Sequence, residues 1–170
     1  MADYLSNLIE KYARRGIVVD TNILLVLIFG LLDPRRLSQR RGTESFTQND
    51  YTLLNLLLSR FNTVITTPSV LTEVNSFINN LAEPDRSRCY QLLAIALSDQ
   101  AQTTMLEVYV PSQEIASLDW PFAKYGLTDC SIAEAAYDKY LVLTNDFKLS
   151  SYLQFRGVDA ISFTNLRYLS

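Results

Sequence analysis

The sequence predicts an α/β fold, a single three-layer α/β/α domain built around a parallel sheet of short strands. Short apolar runs rich in β-branched residues alternate along the chain with segments of helical periodicity, and this alternation is typical of parallel sheets covered by helices. The chain has 170 residues, which is close to the size of one domain. Its residues are 48% hydrophobic and only 19% charged, so a buried core is expected and disorder is excluded. We therefore predict one domain over residues 1–170.

The first half of the chain divides into helices and two strands. Apolar side chains at helical spacing predict an amphipathic helix over residues 2–14, which makes residues 1–15 an N-terminal helical extension. A β-branched run at 17–19 predicts the first strand, and a helix follows it as far as Asp33 and Pro34. Residues 33–49 are polar and rich in arginine, so we expect a loop there. The next elements are a Leu-rich helix from Asp50 to about 61, a second strand at 64–66 and a helix from Pro68 to about 79.

The second half of the chain is less regular. A helix is predicted over 84–98, whereas residues 100–125 form an irregular or variable insertion in which 105–110 is either a strand or the end of a helix. Thr128 and Asp129 are predicted to cap a helix of small residues. The remaining elements are that helix at 131–140, a strand at 141–143, a helix to Gln154 that Gly157 ends, and a last strand at 158–163.

The composition excludes several kinds of catalytic site. The chain has no His, so neither a Ser-His-Asp set nor a Cys-His set exists in it. Zinc sites based on imidazole are excluded as well, and the two Cys, at 89 and 130, are too few for a thiolate cage. Any metal ion would therefore be bound by hard oxygen ligands, which select Mg²⁺ or Mn²⁺.

The longest apolar run, residues 23–32, is too short to cross a bilayer. Its length is half of the roughly 20 residues that a transmembrane helix needs, and polar residues flank it on both sides. We predict a buried helix here and no membrane association. The small number of Cys also favours a reducing compartment, so we expect a cytoplasmic protein.

Four acidic residues are predicted at or just beyond the carboxyl ends of strands. Asp20 ends the first strand, Glu73 lies one turn into the helix after the second, Asp129 begins a later helix, and Asp146 follows the strand at 141–143. Ligands of open parallel sheets bind at this edge. Four carboxylates meeting there repel each other unless cations such as one or two divalent ions neutralise them. Taken singly, each acid also fits an ordinary role as a helix cap, turn residue or surface acid.

Four segments of the chain, in order, resemble the motifs of the PIN-domain nucleases, a family of metal-dependent endoribonucleases that includes toxin-type members. The segments are VVDTNILL (18–25), TPSVLTEV (67–74), GLTDCSIAEAA (126–136) and VLTNDFKL (142–149). The resemblance extends from residue 17 to about 163. It implies a PIN-like version of the predicted fold. The chain differs from the small toxin members because a helix precedes its first strand.

The resemblance also implies a metal site and a reaction. The implied metal ligands are Asp20, Glu73, Asp129 and Asp146, which would bind one or two Mg²⁺ or Mn²⁺ ions, and the implied polar helpers in the catalytic site are Asn22 and Thr144. The implied activity is endonucleolytic hydrolysis of phosphodiester bonds in single-stranded RNA, which needs no His. An inhibitory protein partner, as in a toxin–antitoxin pair, and a homodimer are further expectations. The leucines at 53–58 serve either such a dimer or the core.

Contacts with an RNA substrate would have to be local, because the net charge of −3 opposes general affinity for nucleic acid. Lys148 is close in sequence to Asp146 and is a candidate for a phosphate contact. The densest basic cluster, which is either a substrate contact, a solvated loop or a surface for a second subunit, consists of Arg35, Arg36, Arg40 and Arg41. Three aromatic residues precede the third motif, and we expect core packing rather than base stacking for Trp120, Phe122 and Tyr125.

Two other functions compete with the nuclease hypothesis. One is a catalytically inactive PIN-like module for binding or scaffolding, and the presence of all four acids counts against it. The other is a phosphatase that uses Asp20 as a nucleophile, as in the haloacid-dehalogenase family. That chemistry requires a second Asp two residues later, whereas this chain has Asn22.

Overall fold

The protein is described by a computed structural model for residues 2–98 and 104–168. Its centre is a five-stranded, all-parallel sheet flanked by helices, which confirms the predicted α/β fold class. The strand order is β3-β2-β1-β4-β5. The strands are β1 (Ile17–Val19), β2 (Thr63–Thr66), β3 (Thr104–Glu107), β4 (Leu141–Thr144) and β5 (Ala160–Ser162).

Helices cover both faces of the sheet. They are α1 (Ala2–Tyr12), α2 (Thr21–Leu32), α3 (Gln48–Leu58), α4 (Pro68–Asn79), α5 (Asp85–Ala96), α6 (Ser112–Ala116), α7 (Trp120–Ala136), α8 (Phe147–Phe155) and α9 (Phe163–Arg167). Helices α2 to α5 pack against one another, and α7 packs against α6 and α8. The chain moves across the sheet in opposite directions before and after β3, so connections that follow the right-handed rule for parallel strands put these two groups of helices on opposite faces.

Strand β1 is the centre of the core. Its three residues are fully buried, and Val18 pairs with Ile65 of β2 and with Val142 of β4. Helix α2 follows directly and is buried along most of its length, which explains the apolar run predicted to be a buried helix. Among the described residues no helix is both long and apolar enough to span a membrane.

The Leu-rich helix α3 contributes mainly to the core. Leu54, Leu57 and Leu58 are buried, whereas Leu56 is 67% exposed. The helix begins at Gln48, earlier than predicted, because the Thr47 side chain and Asp50 form a reciprocal capping box.

The segment 33–49, predicted as a loop, contains a 3₁₀ helix at Pro34–Gln39. The side chain of Asp33 caps it by accepting a hydrogen bond from the backbone N–H of Arg35 (3.1 Å). Gly42 follows in a left-handed conformation with φ of 90°. A Cβ atom there would lie 2.9 Å from the Phe77 ring, so the glycine lets this segment approach α4 closely.

The segment 100–125 is more regular than the sequence indicates. Its described part holds strand β3, helix α6 and the first turn of α7, so the ambiguous stretch at 105–110 begins as a strand. The rest of that insertion, residues 100–103, lies outside the described residues. The helix that holds Asp129 begins close to the predicted start at 128–129, because the backbone of Gly126, with φ of 79°, is not helical and breaks α7 there. The helical residues at 120–125 before this break were not predicted.

The last strand is also shorter than predicted. It covers Ala160–Ser162, and Phe163 begins α9 instead of continuing the strand. The Phe163 ring is fully buried and packs 5.7 Å from the ring of Phe46. The chain therefore turns at this point because the aromatic side chain is buried beside the segment that precedes α3.

Candidate metal centre

The four acidic residues singled out in the sequence line one cavity. Asp20, Glu73, Asp129 and Asp146 border a space of about 160 Å³ at the carboxyl ends of β1 and β4, together with Asn22. The remaining lining residues are Thr21, Thr128, Phe77, Ile132 and Leu149. The parallel sheet thus brings together side chains that are far apart in the sequence, as the position of the strand ends predicts.

Asp20 is held on both carboxylate oxygens. It is 5% exposed, its Oδ1 accepts a hydrogen bond from the Ile23 N–H (2.8 Å), and its Oδ2 accepts one from the Asn145 N–H (3.2 Å). Burial raises the pKa of this carboxyl to about 6, although the hydrogen bonds it accepts act in the opposite direction. Asp20 caps α2, so its ordinary structural role and its place in the cavity coexist.

Thr144 joins two of the acids. Its buried hydroxyl donates a hydrogen bond to Asp20 and accepts one from the backbone N–H of Asp146 (2.9 Å). The Asp146 side chain caps α8, because its Oδ1 accepts hydrogen bonds from the N–H groups of Lys148 (2.6 Å) and Leu149 (3.1 Å). In the described structure no such bond reaches its Oδ2. One carboxylate oxygen of Asp146 is therefore available at an exposed position of the cavity rim.

Glu73 is held by two threonines that are not among the predicted site residues, although Thr128 was predicted as a helix cap. Thr21 donates a hydrogen bond to its Oε2 (2.6 Å), and Thr128 donates one to its Oε1 (2.5 Å). Each threonine is adjacent in sequence to a predicted acid, Asp20 or Asp129, and this adjacency is the signal that was available. The two hydroxyls tie α4 to the helices on either side of the cavity.

Asp129 is the least constrained of the four acids. No hydrogen bond to its carboxylate occurs in the described part of the chain, and the side chain is partly buried. Burial, followed by repulsion from Asp146, raises its pKa to about 6, while the charge of Lys148 acts in the opposite direction. Glu73 and Asp20 add further repulsion. A cation in the cavity would relieve this accumulation of like charge.

The cavity offers oxygen ligands of the kind that a divalent ion prefers, but its carboxylates do not form one tight cluster. Among residues 2–98 and 104–168, no three acid, Cys or His side chains are close enough together to hold an ion by themselves. Mg²⁺ commonly keeps several water ligands and uses only one or two carboxylates, so it does not need a closed cage. The acids of this cavity are hard oxygen donors of the type that Mg²⁺ and Mn²⁺ prefer.

The predicted basic cluster is divided by the fold. Arg40 is 4% exposed and is bound to Asp85 (2.8 Å) and to the Phe29 carbonyl (3.2 Å), so it stabilises the segment and does not face solvent. Arg36 also pairs with Asp85, and Arg35 pairs with Asp33.

Arg41 forms no ion pair within the described structure, and its guanidinium lies 5.8 Å from the Phe77 ring centroid. Phe77 also lines the carboxylate cavity, so a single ring separates Arg41 from the lining of that cavity.

The side chains before the third motif are more exposed than predicted. Trp120 is 51% exposed, so the expected core position is wrong for this residue, whereas Phe122 and Tyr125 are partly buried. Lys148, on the first turn of α8, is exposed, and its Nζ lies 5.5 Å from the Tyr125 ring centroid.

The chain matches no known protein-family model, and no curated protein sequence matches it significantly. Its structure is similar to a chain in the crystal structure of FitAcB from Neisseria gonorrhoeae. The TM-score is 0.51 at 15% sequence identity, and the match covers 87% of this chain and 98% of that chain. At this identity the similarity concerns the fold alone. The three-layer architecture is consistent with a PIN-like fold.

We expect the variant Asp129→Asn to be more stable than the wild type at pH 7.5 in the absence of divalent ions. A carboxyl whose pKa is raised from 3.8 to about 6 stabilises the folded state fully below pH 3.8 and loses that contribution as the pH rises through 6. Replacement by a neutral amide removes the penalty, and the gain is on the order of 1 kcal/mol after solvent screening. Thermal unfolding should show a Tm higher by roughly 2–4 °C at pH 7.5 and a smaller difference at pH 5.

Asp138→Asn is the matched control, because Asp138 is exposed outside the cavity and has a left-handed φ of 56° that Asn tolerates. Its Tm should not change. A lower Tm for Asp129→Asn at both pH values would contradict the repulsion between the Asp129 carboxylate and the other acids of the cavity.

Proposed function

We propose that the protein is a Mg²⁺- or Mn²⁺-dependent endoribonuclease that hydrolyses phosphodiester bonds of single-stranded RNA. The observation that carries the proposal is the convergence of Asp20, Glu73, Asp129 and Asp146 on one cavity. A chain without His has no imidazole base, so hydrolysis at neutral pH needs another way to activate water. A divalent ion, when bound, supplies it by Lewis acidity and neutralises charge on the phosphate.

In this proposal the side chains around the cavity have different roles. Asp129 and the available oxygen of Asp146 are the primary metal ligands, because neither is engaged by another group in the described structure. Asp20 and Glu73 keep the site strongly negative while their oxygens are held in place. Thr144 orients Asp20 and the backbone of Asp146, and Asn22 offers an amide to water or to the phosphate.

Two cations flank the cavity and are proposed phosphate contacts. Arg41 lies on one side, across the Phe77 ring, and Lys148 lies on the other, near Tyr125. The Lys148 charge acts directly on Asp129, whereas Arg41 is connected to the cavity only through Phe77, which lines it. In a chain that is negative as a whole, these two cations would provide the local attraction that an RNA backbone requires. Arg35, Arg36 and Arg40 are occupied by Asp33 or Asp85 and are weaker candidates.

The PIN-like fold also supports a proposed inhibitory protein partner, as for a toxin of a toxin–antitoxin pair. A homodimer remains part of the proposal, with Leu56 as the exposed leucine of the predicted Leu-rich helix. The cytoplasmic location stays a prediction from the sequence.

One observation favours a second candidate, a PIN-like binding module without activity. The acids are more widely spaced than a closed metal cage, and both oxygens of Glu73 already accept hydrogen bonds. The nuclease and the binding module differ in whether the protein cuts RNA when a divalent ion is present.

The purified protein should cut an unstructured, end-labelled RNA in Mg²⁺ or Mn²⁺ and lose this activity in chelator. Asp129→Asn should lower the cleavage rate by roughly a hundredfold or more while preserving the fold. We choose Asp129 over Asp20 because an amide at position 20 would place a donor against the N–H of Asn145. The measurement is the rate of product formation on a gel, with the circular dichroism spectrum as the folding control.

Asp138→Asn should cut at the wild-type rate, since it removes a carboxylate outside the cavity. Equal cleavage by the wild type and Asp129→Asn would show that the product comes from a contaminant or another site. No cleavage by the wild type with either ion would favour the binding module.

Arg41→Ala should raise the KM for RNA about tenfold with little change in kcat, because it removes a charged contact to a phosphate away from the reacting bond. Arg35→Ala is the matched control, since Arg35 is equally basic, 77% exposed and paired with Asp33. Steady-state kinetics on one RNA will compare them. Equal KM values for the two variants would exclude Arg41 as a specific contact.

A further inference from the structure

A surface of exposed aromatic rings and lysines extends from the candidate metal centre along α8. We name it the aromatic row and define it as Trp120, Tyr125, Phe147 and Phe155 with Lys124 and Lys148. Phe147 is 87% exposed, Phe155 69% and Trp120 51%. Apolar surface of this kind, gathered in one place and bordered by charge, is typical of an interaction site.

All members of the row except Phe147 contact one another, and Phe147 adds exposed apolar surface at the start of α8. Trp120 packs edge-on against Tyr125 and Phe155, with ring centroids 6.0 and 5.6 Å apart. The Nζ of Lys124 lies 5.2 Å from the Trp120 ring centroid and 5.0 Å from that of Tyr125. Neither Lys124 nor Lys148 has an ion-pair partner in the part of the chain that the structure describes. The row therefore carries positive charge over ring faces.

A buried neighbour makes the row rigid. The Tyr125 ring stacks on Tyr152 at 4.3 Å with an angle of 17° between the rings, and Tyr152 is fully buried. The Tyr152 hydroxyl accepts a hydrogen bond from Arg156 (3.1 Å), which itself pairs with Glu134. The stack on this buried ring holds Tyr125 in place, so the Tyr125 side chain loses little conformational freedom when a ligand binds.

The row begins at the metal centre. Asp146 caps α8, Phe147 and Lys148 form the first turn of that helix, and Phe155 is its last residue. At 1.5 Å per residue, the row follows α8 for about 13 Å away from Asp146. A nucleic-acid strand bound along the row would therefore extend from the carboxylate cavity along α8.

From this arrangement we infer that the aromatic row binds the unpaired bases of a single-stranded nucleic acid that continues out of the carboxylate cavity. The inference rests on the proposed function for the identity of the substrate, a single-stranded RNA. It adds that the unpaired bases are the feature of this substrate that the protein recognises. Aromatic side chains interleaved with cations bind single strands because every base offers a face for stacking and every phosphate offers a charge. A duplex keeps its bases stacked inside, so the row should select against it.

The chain has a single tryptophan, which lies in the row, so intrinsic fluorescence reports directly on this surface. We would titrate a single-stranded uridine oligonucleotide into Asp129→Asn protein in chelator, where no cleavage occurs. The comparison ligands are a duplex RNA of the same length and inorganic polyphosphate, which has the charges without bases. We expect saturable quenching by the single strand and much weaker quenching by the other two.

Phe155→Ala should raise the Kd for the single strand about tenfold while leaving Trp120 as the probe. Phe155 is 69% exposed, so its loss removes little core packing. The control is Tyr168→Ala, an aromatic residue that is 84% exposed at the end of α9, and its Kd should equal that of the parent protein. The double variant Lys124→Met and Lys148→Met should bind more weakly and lose part of the salt dependence.

Equal quenching by polyphosphate and by the single strand would overturn the inference, because charge alone would explain it. An unchanged Kd for Phe155→Ala, or no response to single strands, would also overturn it and leave the row as a contact for a protein partner. The two proposals fail separately. Quenching without any cleavage by wild-type protein contradicts the nuclease, whereas cleavage without quenching contradicts only the aromatic row.

Discussion

The constraint on which the structure depends is electrostatic: four carboxylates lie around one small cavity at the ends of two central strands. Burial and mutual repulsion raise the pKa of Asp20 and Asp129 to about 6. The protein holds Asp20 and Glu73 in place with backbone N–H groups and hydroxyls, and it leaves Asp129 without such support in the described structure. Burial of the carboxylates and their mutual repulsion lower the stability of the folded protein, and a bound cation would offset this repulsion.

Several of these side chains have two roles at once. Asp20 and Asp146 cap α2 and α8, so the ordinary structural interpretation of each acid is correct while the acids also form the cavity. The helices begin at the strand ends in a parallel sheet, and caps and site residues therefore occupy the same places. The aromatic row follows from the same geometry, since the helix capped by Asp146 carries Phe147, Lys148 and Phe155 away from the cavity.

The sequence predicted the fold class and the neighbourhood of the acids because both depend on local periodicity and on where strands end. It missed what long-range packing decides. The helical residues at 120–125 were missed because they belong to a separate stretch of α7 before the break at Gly126, and Phe163 leaves the last strand because it is buried beside Phe46. The threonines that bind Glu73 and the separation of Arg41 from Arg40 depend on contacts between distant segments, which periodicity does not reveal.

The most direct test of the central claim is a crystal structure of the wild-type protein grown with Mn²⁺, using its anomalous scattering to locate the ion. The account predicts an anomalous peak inside the cavity, in contact with Asp129 and Asp146, and no peak there in crystals of Asp129→Asn. Manganese bound elsewhere on the protein, or a cavity that keeps its four acids and takes up no ion at saturating Mn²⁺, would contradict the account.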